Sequence, residues 1–213
     1  MPSPWLAIPL ADYEAHMALP EIGQADLLAA EFGAALAELA PASLAVVGCA
    51  GGNGFERISP QATRRVVAID INPAYLATLT SRFADRLPGL ETHALDIGAD
   101  RMGIAAVDFV YAALLFEYVE PGQALRHLGA LCRRGGTLLT VLQLPSASMA
   151  AISPSPYAAL RALAPAMRLL AADELQAHAA AAGFELQSSR IAVSPAGKQF
   201  AIRRFRRILA AES

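Results

Sequence analysis

The segment Leu44-Ala45-Val46-Val47-Gly48-Cys49-Ala50-Gly51-Gly52-Asn53-Gly54 runs from four apolar residues straight into four glycines. Such a run ends a buried strand and turns the chain sharply. Glycine enters left-handed backbone at no steric cost, and without a side chain it lets another group approach the main chain. Residues 54–59 have the character of a helix start, which would aim unpaired N–H groups at whatever lies over the turn. Asp70 closes the next apolar run, 22 residues after Gly48. A carboxylate at that tip can accept hydrogen bonds from both hydroxyls of a ribose. The pattern implies a nucleoside site at the carboxyl edge of a sheet, against the plainer reading of a glycine turn used only for packing.

The rest of the chain supplies that sheet. Residues 11–19 and 22–39 carry apolar side chains at helical spacing, Leu27, Leu28, Phe32, Leu36 and Leu39 in the second stretch. Short apolar runs follow at 44–47, 66–69, 90–95, 107–112 and 137–142, with helical stretches predicted at 54–59, 73–86 and 122–133. Gly135 and Gly136 are expected to stop the last of these, after Arg133 and Arg134. Strand–helix repetition predicts an α/β fold with a mostly parallel sheet and helices on both faces. Residues 144–157, rich in Ser and Pro, read as a loop. Helical pieces at 157–163 and 172–182 precede two final strands, 184–193 and 199–205. Their connection, Ser194-Pro195-Ala196-Gly197, is so short that it forces an antiparallel hairpin.

Glycines at 48, 51, 52 and 54 fit no frame of the dinucleotide fingerprint G-x-G-x-x-G, and no Lys-Ser or Lys-Thr follows them as a P-loop requires. The turn resembles instead the first motif of the class I S-adenosylmethionine (SAM)-dependent methyltransferases. The resemblance continues in order: Val66-Val67-Ala68-Ile69-Asp70-Ile71-Asn72-Pro73 for the second strand, His93-Ala94-Leu95-Asp96-Ile97 for the third tip, Val107 to Val119 for the fourth strand and its loop, and Leu125 to Leu138 for the helix, Gly-Gly turn and fifth strand. Each motif alone is weak; their register together is strong. The resemblance implies a Rossmann-like, seven-stranded, mostly parallel sheet with a C-terminal antiparallel hairpin. It also implies a division into an N-terminal helical lid or extension, 1–40, and a SAM-binding domain, 41–213. It assigns SAM binding to Gly48, Cys49, Ala50, Gly52, Asn53, Asp70, Ile71, Asn72, Asp96, Ile97, Ala112 and Ala113. Family members usually carry an acid two residues before the first glycine, where this chain has Val46; that implies weaker binding or more reliance on main-chain carbonyls.

Methyl transfer from a sulfonium is an in-line displacement that needs alignment above all, up to about 7–11 kcal/mol of it, and a base only when the acceptor must lose a proton. The candidates on the acceptor side are Glu117 and Tyr118 after the fourth strand, and Tyr13 and His16, three apart in an N-terminal helix. Glu117 and Tyr13 are the catalytic candidates; the plainer reading of Glu117 is a solvated residue flanking a helix. Arg203-Arg204-Phe205-Arg206-Arg207 reads as a solvated strand end whose charges discourage edge pairing rather than as a phosphate or RNA patch. Cys49 reads as a small buried side chain beside the ligand.

Composition narrows the class. Hydrophobic residues make up 55% and charged ones 17%, net charge is −2, and the four histidines are scattered. No broad basic surface for nucleic acid and no metal-ligand spacing stand out. Mean hydropathy is +0.39, yet no apolar run approaches the roughly 20 residues of a membrane span. Two cysteines and an N-terminus without signal-peptide features lead to the expectation of a cytoplasmic protein. The expected activity is methylation of a small-molecule acceptor at O, N or C, with a homodimer open. The alternatives are a SAM-binding module without chemistry and, ranked lower, an NAD-dependent oxidoreductase.

Overall fold

The computed structural model describes residues 3–100 and 103–208. Helices α1 (Leu10–Met17) and α2 (Gln24–Leu39) precede strand β1 (Ser43–Val47). Then come β2 (Arg65–Asp70), α3 (Pro73–Phe83), β3 (Leu90–Ala94), β4 (Val107–Ala113), α4 (Pro121–Leu131), β5 (Cys132–Gln143), α5 (Ala172–Ala181), β6 (Phe184–Val193) and β7 (Gln199–Arg207). The strands form one seven-stranded sheet in the order β3-β2-β1-β4-β5-β7-β6. All neighbours are parallel except those of β7, which runs antiparallel to both β5 and β6.

Side chains alternate along each strand, and the alternation divides the core. Leu44 and Val46 of β1 face one way with Val66, Ala68, Phe109 and Tyr111, under α2 and α3. Ala45 and Val47 face the other way with Val67, Ile69, Val110 and Ala112, under α4 and α5. Phe32 of α2 is wholly buried and stacks on Tyr111 at 4.8 Å between ring centroids. Residues 24–39 therefore belong to the main core, while Pro4–Ala7 and α1 lie toward the carboxyl edge. A third, small cluster of Ile8, Leu160 and Leu163 joins those N-terminal residues to the helical turn Ala158–Leu163.

Several sequence expectations change. Residues 54–59 form only a single 3-10 turn, Phe55–Arg57. The face where a crossover helix would lie is taken by α2, with Phe32 and Phe55 at 6.4 Å, and the chain already leaves helical backbone at Ile58, φ −73° and ψ 124°. A turn this short supplies no helix dipole, so the anion-binding argument from a helix start does not apply. Helix α4 ends at Leu131 and the chain enters β5 at Cys132, so the stop lies ahead of Gly135 and Gly136; Gly135 takes φ +74° inside the strand. The arginine cluster does not sit on an edge either. β7 is flanked on both sides; Arg203 is buried against Ala172 O, Gln176 and Asp173, and Arg204 pairs with Glu38 on α2.

Candidate active site

Strand order reverses between β1 and β4, and in open parallel sheets the crevice at such a point receives the ligand. The glycine turn closes one side of it. Gly48 and Cys49 N–H both donate to Ile69 O, at 2.9 and 3.2 Å, which folds the turn back over the end of β2. Gly48 has φ +72°, and a Cβ there would meet only Leu115, at 3.5 Å. Ala50 adopts φ +45° with a side chain, a conformation costing on the order of 1 kcal/mol or more. It is held there by its N–H, which donates to Asp70 Oδ2 at 2.8 Å, while Asn72 N–H donates to Oδ1 at 2.9 Å. Leu114, at the tip of β4, is a second strained residue, φ +52°, fixed by its N–H on Val141 O. Both strained residues border the same crevice.

The crevice is a cavity of about 500 Å³, within the range of small-molecule sites. Of the sequence-assigned residues, Gly48, Ala50, Asp70, Ile71, Asp96, Ile97 and Ala113 line it, together with Ile69, Leu95 and Val119. Cys49, Gly52 and Asn53 line a second space of about 330 Å³ on the far side of the turn. Ala112 is in the core. Asn72 caps α3 instead: its Oδ1 accepts from Ala74 N–H and its amide donates to Trp5 O at 2.9 Å. Asp96 borders the cavity half-exposed, its Oδ1 accepting from Gly98 N–H. Burial raises the Asp70 carboxyl, opposed by the N–H groups of Asn72 and Ala50. Ile71 N–H draws on the same carboxylate, which borders the cavity.

An aromatic group roofs the cavity. Trp5 meets Tyr13 and Tyr118 edge-on, at 5.3 and 5.0 Å between centroids. Burial, with Asp70 next for Tyr13 and Glu117 next for Tyr118, holds both phenols protonated far above their ordinary range. Val46, in place of the usual acid, packs in the core beside Tyr111, whose hydroxyl donates to Leu28 O at 3.0 Å. Glu117 is not solvated: it is 1% exposed, and Oε1 accepts from Gln143 N–H at 2.7 Å while Oε2 has no partner. Burial pushes its carboxyl up to about 7 against the pull of main-chain N–H groups. Yet it does not line the cavity.

Behind the aromatic roof lies a smaller space of about 60 Å³, lined by Tyr13, His16, Gln24, Gln143, residues 151–153 and Lys198. Trp5 and Lys198 carry no part in the sequence assignment, though each is the chain's only residue of its type. That singularity was the available signal. Among the described residues no cluster of His, Cys, Asp and Glu has the makings of a metal site, and no helix is long and apolar enough to cross a membrane.

Residues 45–140 match the family model described as a methyltransferase domain. Over that span, a little under half of the chain, the protein is similar to a methyltransferase domain. S-adenosylmethionine is the cofactor expected of such a domain. No curated protein sequence matches the chain. Among solved structures, the Burkholderia thailandensis 1,6-didemethyltoxoflavin-N1-methyltransferase, with bound 1,6-didemethyltoxoflavin and S-adenosylhomocysteine, shares 18% identity at a TM-score of 0.69, over 98% of this chain and 92% of that one. The N-methyltransferase NodS from Bradyrhizobium japonicum WM9, in complex with S-adenosylhomocysteine, shares 16% at 0.66, over 86% and 87%. The [4+2]-cyclase SpnF shares 17% at 0.63, over 79% and 75%. At these identities the likeness is one of fold.

Proposed function

We propose that the protein is a SAM-dependent methyltransferase acting on a small-molecule acceptor. The observation that carries this reading is the cavity of about 500 Å³ at the strand-order reversal, lined by Gly48 and by the Asp70 carboxylate. These residues fit the cofactor: a carboxylate for the two ribose hydroxyls, Ile71, Leu95 and Ile97 as apolar walls for a flat base, and open space where a Gly48 side chain would stand. SAM supplies an activated methyl on a positive sulfur, so the chain's own residues have to hold, align and dry the site.

Asp70 and the main chain at Gly48 and Ala113 orient the donor side. Trp5, Tyr13 and Tyr118 enclose the acceptor side, and their edge-on packing excludes water from the line of transfer. Tyr13, protonated across the ordinary pH range, offers a hydroxyl as a hydrogen-bonding group rather than as a base. Glu117 acts through Gln143 and, by its carbonyl, through Arg168 N–H at 2.7 Å; it positions the wall without contacting the acceptor. Both structures named above with S-adenosylhomocysteine carry small-molecule or N-methyltransferase names, which supports a small acceptor.

A second reading, a SAM-binding fold that does not transfer methyl, draws on Val46 and on a relative in fold whose name is that of a cyclase. One experiment decides between them. Calorimetry with SAM and S-adenosylhomocysteine, followed by incubation with a panel of small nucleophiles, should give binding and then S-adenosylhomocysteine release. No binding at millimolar concentration would end the first reading; binding without turnover across the panel would favour the second.

A further inference from the structure

The space behind the aromatic roof holds a cationic side chain that no carboxylate answers among the described residues. Lys198 is 4% exposed, and its Nζ makes one hydrogen bond, donating to Ala151 O at 2.6 Å. No carboxylate pairs with it among the described residues. A buried ammonium without a counter-ion is costly, and proteins keep one where something else supplies the charge. Beside it, His16 is 7% exposed and its Nδ1 has no partner. Burial first, and Lys198 second, lowers its pKa, so the ring stands neutral with one N–H to donate. Two unanswered polar groups thus converge on one small cavity.

The size of that cavity limits what answers them. About 60 Å³ has room for a few waters or a carboxylate and is a small fraction of the 500 Å³ of the main cavity. Its walls are shared with the larger cavity through Trp5, Tyr13, Leu114 and Tyr118. A ligand whose anionic end sits at Lys198 therefore extends its body between those side chains toward the donor site, where aromatic edges and faces favour a flat apolar group. We propose that the acceptor is a small carboxylic acid with a flat body, its carboxylate received by Lys198 Nζ and the His16 imidazole. The proposal rests on the methyltransferase reading for the word acceptor; the anion subsite stands on the geometry of the small cavity.

Because Lys198 is the only lysine of the chain, protein grown with [ε-13C]lysine gives a single side-chain resonance to follow. The probes are benzoate and its neutral isostere benzamide, added to the full chain with and without saturating S-adenosylhomocysteine. Benzoate is expected to shift the lysine resonance saturably and to bind at least tenfold more tightly than benzamide by calorimetry. Lys198→Met should erase that preference while S-adenosylhomocysteine binding, which checks the fold, stays unchanged; Lys198→Arg should retain it. Equal binding of the two probes, or no movement of the resonance up to 50-fold excess over a roughly millimolar Kd, overturns the anion subsite even where S-adenosylhomocysteine binds. Failure of S-adenosylhomocysteine to bind overturns instead the methyltransferase reading, and the benzoate shift in the free protein still judges the subsite.

Discussion

Glu14 of α1 and Arg82 of α3 form a two-pronged ion pair, 2.5 and 2.9 Å, directly over Gly51, and Arg82 Nη1 also donates to Gly51 O at 3.0 Å. The pair ties the helix that carries Tyr13 to the glycine turn. With side chains 35% and 42% exposed, it contributes no more than about 1 kcal/mol to overall stability. Its consequence is local, on how tightly α1 closes over the cavity. Arg82→Met is accordingly expected to leave thermal stability nearly unchanged while weakening S-adenosylhomocysteine binding about three- to tenfold. Calorimetry beside a thermal melt checks this, and an unaltered affinity would mean that α1 holds its place without the latch.

Gly51 tests the same latch from the other side. A Cβ at this position would overlap the Glu14 carboxylate and the Arg82 guanidinium, yet its backbone lies outside the left-handed region. Gly51→Ala should therefore act by displacing the ion pair. In an Arg82→Met background the same change should cost markedly less, giving a coupling of about 0.5 kcal/mol or more in a double-mutant cycle on ligand affinity. Additive effects would separate Gly51 from the latch.

Ala50 and Asp70 share one hydrogen bond that holds a strained turn. Asp70→Asn leaves one oxygen to accept from the Ala50 and Asn72 N–H groups and places an amide donor against the other, a mismatch of about 1–3 kcal/mol. Melting temperature should fall, and affinity for S-adenosylhomocysteine should drop at least tenfold by calorimetry. A lower melting temperature with undiminished binding would assign Asp70 to the turn alone. Ala50→Gly, by contrast, relieves the left-handed strain and should stabilise the fold by up to about 1 kcal/mol, read as a small rise in the melt.

What was legible in the sequence was what local chemistry decides. Leu44, Ala45, Val46 and Val47 alternate between two faces that each find a core, and the glycines and Asp70 define the cavity because turn and strand tip are fixed by a few neighbours. The stretch after Gly54 escapes a local reading because its fate depends on α2, which ends at Leu39 and fills the face a crossover helix would need. Arg203 and Arg204 were placed on an edge because nothing local reveals that β7 inserts between β5 and β6. Glu117 carried no mark of burial, since the main-chain N–H that receives it belongs to Gln143, 26 residues away. Trp5 and Lys198 reach the site only through tertiary contacts, and their rarity in the composition was the one hint.

Glu117 makes folding depend on pH in a stated direction. Its carboxyl titrates near 7 in the folded chain, up from 4.5, because burial penalises the charged form. The folded state thus binds this proton more tightly than the unfolded state does. The stabilisation it brings is complete below about pH 4.5 and is lost as pH rises through 7. Glu117→Gln keeps an oxygen for the Gln143 N–H and never ionises, so it should match the native chain at pH 4.5 and exceed it increasingly up to pH 7. Above that the advantage should level off at no more than about 3 kcal/mol. Denaturant titrations of both proteins across this range test it, with S-adenosylhomocysteine affinity expected to stay equal because the side chain does not reach the cavity. Parallel stability curves would mean that Glu117 remains charged in the fold and that its free Oε2 has found a partner.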